Sequence, residues 1–143
     1  RPRRGLFVND GKEYWVSNEL SGTVGVIDTT KQELKETIKF SIKGIRENQI
    51  TPVDFAYARK KNIVFVTLGN ASHVAAVDAN TYEVKKYILA GNRVWGADIT
   101  ADEKELVVTN GNSDDISIID LNKFATTSAI PVGKTPHSVR IIK

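Results

Sequence analysis

The amino-acid sequence predicts an all-β chain of repeated four-stranded antiparallel units, and three observations carry that prediction. Three apolar segments superpose along the chain, each is followed by a β-branched segment ending in Asp, and no stretch shows the 3.6-residue period of a helix. The first set is Tyr14-Trp15-Val16-Ser17-Asn18, Val64-Phe65-Val66-Thr67-Leu68 and Leu106-Val107-Val108-Thr109-Asn110. The second is Val24-Gly25-Val26-Ile27-Asp28, Val74-Ala75-Ala76-Val77-Asp78 and Ile116-Ser117-Ile118-Ile119-Asp120. The interval between copies is 50 residues and then 42, the excess matching a polar insert from Ser41 to Ile50.

Each copy contains two further strands. Glu33 to Phe40, Glu83 to Leu89 and Ala125 to Val132 alternate Lys, Glu or Thr with apolar residues, the pattern of a half-wet outer strand. Arg4 to Val8, Val53 to Tyr57 and Trp95 to Ile99 precede the first set, and His137 to Ile142 repeats their pattern once more. Between these and the next strand lie Asn9-Asp10-Gly11, Arg59 to Asn62 and Ala101 to Lys104, compositions suited to hairpin turns. Four strands in a period of roughly 40 to 45 residues are the signature of a β-propeller blade. The chain divides into a blade at 1–40, the insert at 41–50, blades at 51–91 and 92–133, and one strand of a further blade at 134–143.

A blade buries both faces against neighbours, and a closed ring takes about four to eight blades. Three complete blades plus one extra strand therefore lead us to expect part of a propeller of about seven blades, roughly 300 residues at this period. The remaining blades, from an N-terminal part or another chain, would cover the two end faces. A second copy would not, because the first blade already has its own first strand and would leave His137 to Ile142 unclaimed. The absence of Met fits a removed leader or a missing N-terminal part.

Composition removes several functional classes. The net charge of +3 arises from 20 basic and 17 acidic residues interspersed along the chain, clustered only at Arg1 to Arg4 and Arg59 to Lys61. No basic stripe with aromatic platforms is present, so nucleic-acid binding is not expected. Without Cys there is no thiol catalysis, disulfide or Cys-ligated metal. No run approaches the ~18 apolar residues of a membrane-spanning helix, and the first residues lack the apolar core of a signal peptide. Phosphate loops, nucleophile elbows and HExxH motifs are also absent.

Tyr14 to Asn18 and Leu106 to Asn110, with the Val-Ile-Asp and Ile-Ile-Asp segments downstream, resemble the YVTN β-propeller repeat. More narrowly, Asn18 to Asp28, Val66 to Asn70, Gly91 to Gly96, Thr109 to Asn112 and Pro131 to Pro136 resemble the C-terminal half of YVTN proteins associated with pyrroloquinoline quinone (PQQ)-dependent alcohol catabolism. That resemblance implies an exported, periplasmic, seven-bladed propeller found beside quinoprotein dehydrogenases and transport components, with no activity attached to it. Leu68 departs from the repeat's Asn, which is expected to weaken a turn, and His137 departs from an aromatic.

Most conspicuous polar residues have structural readings. Asn18 and Asn110 open a turn where Asn tolerates positive φ, and Asp28, Asp78 and Asp120 recur once per blade as hairpin chemistry. Trp15 reads as core. Function is expected on the face where the connections between blades and the second-to-third-strand turns emerge together. Arg4, Asp54, Trp95 and His137 are placed near the central opening, and Glu19, His73, Asp114 and Asp115 farther out, with Arg93 beside Trp95. These are candidates for a ligand or partner face. His73 and His137 lie on different blades without metal-ligand spacing, so neither a metal nor a cofactor is expected. The leading reading is a non-catalytic exported propeller that binds or scaffolds. The alternative is a lactonase-like hydrolase using Arg4, Glu19 and His137; a quinone- or haem-bearing redox propeller lacks the expected Trp repeat and haem ligands.

Overall fold

The computed structural model describes residues 1–143. Twelve strands occur, each bounded within two residues of its expected place: β1 (Pro2–Val8), β2 (Glu13–Asn18), β3 (Thr23–Asp28), β4 (Glu33–Lys39), β5 (Phe55–Ala58), β6 (Ile63–Thr67), β7 (His73–Asp78), β8 (Val84–Leu89), β9 (Val94–Ile99), β10 (Glu105–Asn110), β11 (Asp115–Asp120) and β12 (Ala125–Pro131). They form three antiparallel four-stranded sheets, β1 to β4, β5 to β8 and β9 to β12, each ordered as in the sequence. The all-β expectation of repeated four-stranded blades holds. No α-helix is present, only a single 3-10 turn at Glu47–Gln49.

The sheets pack face to face, and the amount of cover explains the differences between copies. The second blade lies between the other two, so β6 is buried along its whole length, whereas β2 buries only alternate residues, Glu13, Trp15 and Ser17. A strand covered on both faces needs continuous apolar sequence, which is why Ile63 to Val66 has no polar residue. Trp15, Val24, Val26 and Ile38 of the first blade meet Phe55, Val64, Val66 and Val77 of the second. Ala56, Phe65, Val74 and Ile88 on its other face meet Ala97, Leu106, Val108 and Ile119 of the third. Strand β5 packs on both β1 and β9, so the first strand of each blade is the innermost. Pairing of Pro2 with Asn18 and of Asn110 with Val94 puts the starts of the inner strands beside the second-to-third-strand turns, at what we call the upper end.

Each outer strand carries a bulge at the same place, opposite Val26/Ile27, Ala76/Val77 and Ile118/Ile119. A bulge bends an edge strand away from unwanted pairing and re-aims the extra side chain. In β4 the extra residue is Lys35, and its ammonium reaches the buried Glu13.

Two expectations are corrected, and the insert takes on a packing role. The insert at 41–50 is only partly polar in its role: Ile50 joins the buried core and Ile42 and Ile45 pack against it, because the segment closes the upper end of the seam between the first two blades. Asn18 and Asn110 do not supply positive φ. That conformation falls after them, on Gly22 and Asp114, and in the second blade on Gly69 and Ser72, while Asn110 acts through its side chain. Residues 132–143, which include the expected extra strand, form no β-ladder. A strand needs an edge to pair with, and here the segment crosses the face of the third blade.

The segment nevertheless holds an inner-strand position. Three hydroxyls at equivalent places, Ser17, Thr67 and Thr109, each accept a hydrogen bond from their own blade's inner strand and donate one to the next. Ser17 Oγ accepts from Arg4 N (3.1 Å) and donates to Val53 O (2.8 Å). Thr67 Oγ1 accepts from Asp54 N (2.9 Å) and donates to Trp95 O (2.7 Å). Thr109 Oγ1 accepts from Gly96 N (2.8 Å) and donates to His137 O (3.3 Å). Ile141 N adds a bond to Asp98 Oδ2 at 2.7 Å. Thr109→Val, which keeps the shape and removes the hydroxyl, is expected to speed amide exchange at Ile141 about tenfold, the loss of one hydrogen bond. Unchanged exchange at that amide would show that Thr109 does not hold the segment.

Candidate functional site

The upper end gathers the candidate residues, but most are spent on holding the fold. Asp54 accepts from its neighbour Phe55 N (2.9 Å) and, across the blade seam, from Ala97 N (3.2 Å). Asp114 accepts from Thr135 N (2.8 Å), and Asp115 from Asn110 Nδ2 (2.7 Å). His73 Nδ1 contacts Ala71 O at 2.6 Å within its own turn. Glu19 lies between two arginines: its Oε2, buried and without a hydrogen bond, is 3.5 Å from Arg1 Nε and 3.3 Å from Arg3 Nη1. Arg4 is exposed and contributes its backbone to the Ser17 bond.

One group is left that the fold does not consume. Trp95 stands on the inner strand of the third blade with the Arg93 guanidinium 4.3 Å above its ring, and the His137 ring meets it at 4.9 Å with a 59° tilt. Gly111 makes room for this stack, since a Cβ there would lie 3.2 Å from Trp95 Cε3. His137 reaches Trp95 because the Thr109 bond fixes its backbone. The sequence already suggested Arg93, Trp95 and His137 for this face. Their stacking depended on where residues 134–143 run.

The lower end holds a cluster that no single segment reveals. Glu13, almost fully buried, accepts hydrogen bonds from Trp15 Nε1 (3.0 Å), Asn9 Nδ2 (3.1 Å), Lys35 Nζ (2.9 Å) and the Tyr82 hydroxyl. Burial pushes its carboxyl up, but the bonds from Tyr82, Trp15 and Lys35 outweigh that and hold it below its ordinary 4.5. Every acceptor site of the carboxylate is engaged, so this is a seam clasp between the first two blades. Its signal in the sequence was parity: Glu13 shares the inward-facing alternation of Trp15 and Ser17.

The repeated aspartates behave as hairpin chemistry. Asp28 Oδ1 accepts from Thr30 N and Lys31 N, Asp78 Oδ1 from Asn80 N and Thr81 N, and Asp120 Oδ1 from Asn122 N and Lys123 N. Those backbone donors, led by Lys31, Thr81 and Asn122, lower the carboxyl pKa values. No group of three or more His, Cys, Asp or Glu is arranged to hold a metal ion. A rim groove of about 500 Å³ lies between Glu36 to Lys39 and Thr81 to Val84.

Radially packed four-stranded sheets with their first strands innermost define a β-propeller architecture. No family model and no curated protein matches the chain. Among solved structures, it is similar to Kuenenia stuttgartiensis hydrazine synthase with a TM-score of 0.83 and 18% identity, over 96% of this chain and 38% of that one. It is similar to a Bacteroides fragilis protein provisionally named a 6-phosphogluconolactonase, with a TM-score of 0.77 and 21% identity over 99% and 42%. The WD40 β-propeller domain of Doa1 gives 0.70 and 11% over 92% and 40%. At these identities the likeness concerns the fold. The chain spans about two fifths of the length of each of these structures.

Proposed function

We propose that this chain is part of an exported YVTN-type β-propeller that binds or scaffolds through its upper face, as a non-catalytic accessory to PQQ-dependent alcohol oxidation. The observation that carries the reading is the economy of that face. Its carboxylates are committed to backbone, amide or arginine partners, leaving the Arg93–Trp95–His137 stack as a recognition surface with no carboxylate base on it. The YVTN-like repeat and the segments shared with PQQ-associated proteins support the cellular context, a periplasmic or otherwise exported location.

Two kinds of partner follow. The remaining blades would cover the outer face of the first blade, where Phe7 and Leu34 are 59% and 65% exposed. A periplasmic dehydrogenase or transport component would engage the upper face. A native pull-down with the full-length protein is expected to recover a dehydrogenase or transport component. Trp95→Ala with His137→Ala should lose it while leaving the propeller assembled. Recovery of neither class of partner would overturn the accessory role.

A further inference from the structure

Arg93 differs from the other upper-end arginines in what surrounds its charge. Arg1 and Arg3 share the Glu19 carboxylate. Arg4 is exposed with no side-chain partner, so fixing it on a ligand would cost its full rotamer freedom. Arg93 forms no ion pair and no side-chain hydrogen bond, yet its guanidinium carbon lies over the Trp95 indole, 4.3 Å from the ring centroid. A guanidinium stacked on a ring keeps its five in-plane N–H donors free, and it has already lost much of the freedom that binding would otherwise remove. His137, exposed, packs its ring on the same indole at 4.9 Å. Asp54, Asp114 and Asp115 each accept bonds from the protein itself, and none of them lies within ion-pair distance of Arg93.

We propose that Arg93, pinned on the Trp95 ring that His137 also contacts, is an oxyanion-binding site at the mouth of the propeller, taking the carboxylate or phosphate of a small molecule through the guanidinium fork. The fork matches two oxygens of such a group in its own plane, and charge-assisted pairs of this kind are the strong ones. The proposal rests on the upper face being a binding face and specifies what that face recognises.

Tryptophan emission provides the test. The chain has two tryptophans, and Trp15 is fully buried in the seam between blades while Trp95 lies at the mouth. Titration of the full-length protein at low ionic strength with benzoate and with inorganic phosphate is expected to change tryptophan emission saturably, the change being absent in Trp95→Phe, while neutral benzamide has no such effect. A preference for benzoate would identify a planar carboxylate as the ligand class, and a preference for phosphate a phosphate ester. Arg93→Gln should weaken binding about tenfold or more, the worth of a charge-assisted pair. Arg93→Lys, which keeps the charge and loses the fork, should fall between. Equal responses to benzoate and benzamide, or unchanged affinity in Arg93→Gln, would overturn the site. A pull-down that retains its protein partner while anion binding fails would remove this inference and leave the scaffold reading standing; the reverse pattern would do the opposite.

Discussion

Glu13→Ala is expected to lower the unfolding free energy by about 3 kcal/mol in a urea titration, the cost of breaking a buried, hydrogen-bonded charge cluster. The carboxylate joins the first blade's Trp15, Asn9 and Lys35 to Tyr82 of the second, so its loss strands several donors at the seam. Glu13→Gln should cost less, because an amide keeps the shape and some of the bonds. A change within about 0.5 kcal/mol for the alanine variant, as at an ordinary surface site, would show that the clasp contributes nothing. The same group makes an acid prediction. Its pKa in the folded state lies below the ordinary 4.5, so its contribution is complete above that pH and is lost as pH falls through the lowered value. Asp28, Asp78, Asp98, Asp102 and Asp120 are also lowered and act with the same sign. The protein should lose stability steadily below about pH 4.5, and Glu13→Gln should show a shallower dependence over that range.

Leu68→Asn, which restores the repeat's own residue, should destabilise the protein by about 3 kcal/mol, as a polar group is buried without a partner and a core leucine is lost. In the third blade the equivalent Asn110 is fully satisfied: its amide donates to Asp115 Oδ1 (2.7 Å) and Ser117 Oγ (2.8 Å), and its oxygen accepts from Gly91 N (3.1 Å). The corresponding positions around Leu68 are His73, which is turned to Ala71 O, and Ala75, which has no polar side chain. Leu68 is itself completely buried against the core of the first seam. The turn is not weakened by the leucine: Leu68 N donates to His73 O at 3.0 Å, and Thr51 Oγ1 accepts from Asn70 N at 2.9 Å. A stability equal to or above that of the parent chain would refute this account.

The strands were legible because alternation and repetition are local properties. Tyr14 to Asn18 repeats at Val64 to Leu68 and Leu106 to Asn110, and each of the twelve strands lies within two residues of its expected place. The turn residues were legible in kind and not in position. Asn18 and Asn110 read as carriers of positive φ, but each is the last residue of a strand, and the left-handed conformation falls on Gly22 and Asp114, and in the second blade on Gly69 and Ser72. A turn's hand is set by the two strands it must join, and its left-handed residue need not be its most turn-prone one. Ser41 to Ile50 looked polar in composition, yet Ile50 was enough to seat it in the seam.

The candidate residues divide in the same way. Arg93, Trp95 and His137 were visible as residues of one face, but their stack requires residues 134–143 to cross the third blade, and Thr109 O–H···O bonding to His137 is a contact between positions 28 apart. Glu13 and Tyr82 are 69 residues apart and meet only because the first two blades pack together.

By itself the sequence determined the blade: strand number, order, burial parity and the Asp-closed hairpins, all governed by neighbours a few residues away. Only the tertiary structure decided which polar residues remain free. Part of their hydrogen-bond satisfaction is decided at the seams, where a donor and its acceptor come from different blades, as with Ala97 N and Asp54. There Asp54 was taken into the scaffold, while Glu19 was paired with Arg1 and Arg3 inside the first blade and Arg93 was left holding an uncompensated charge over Trp95.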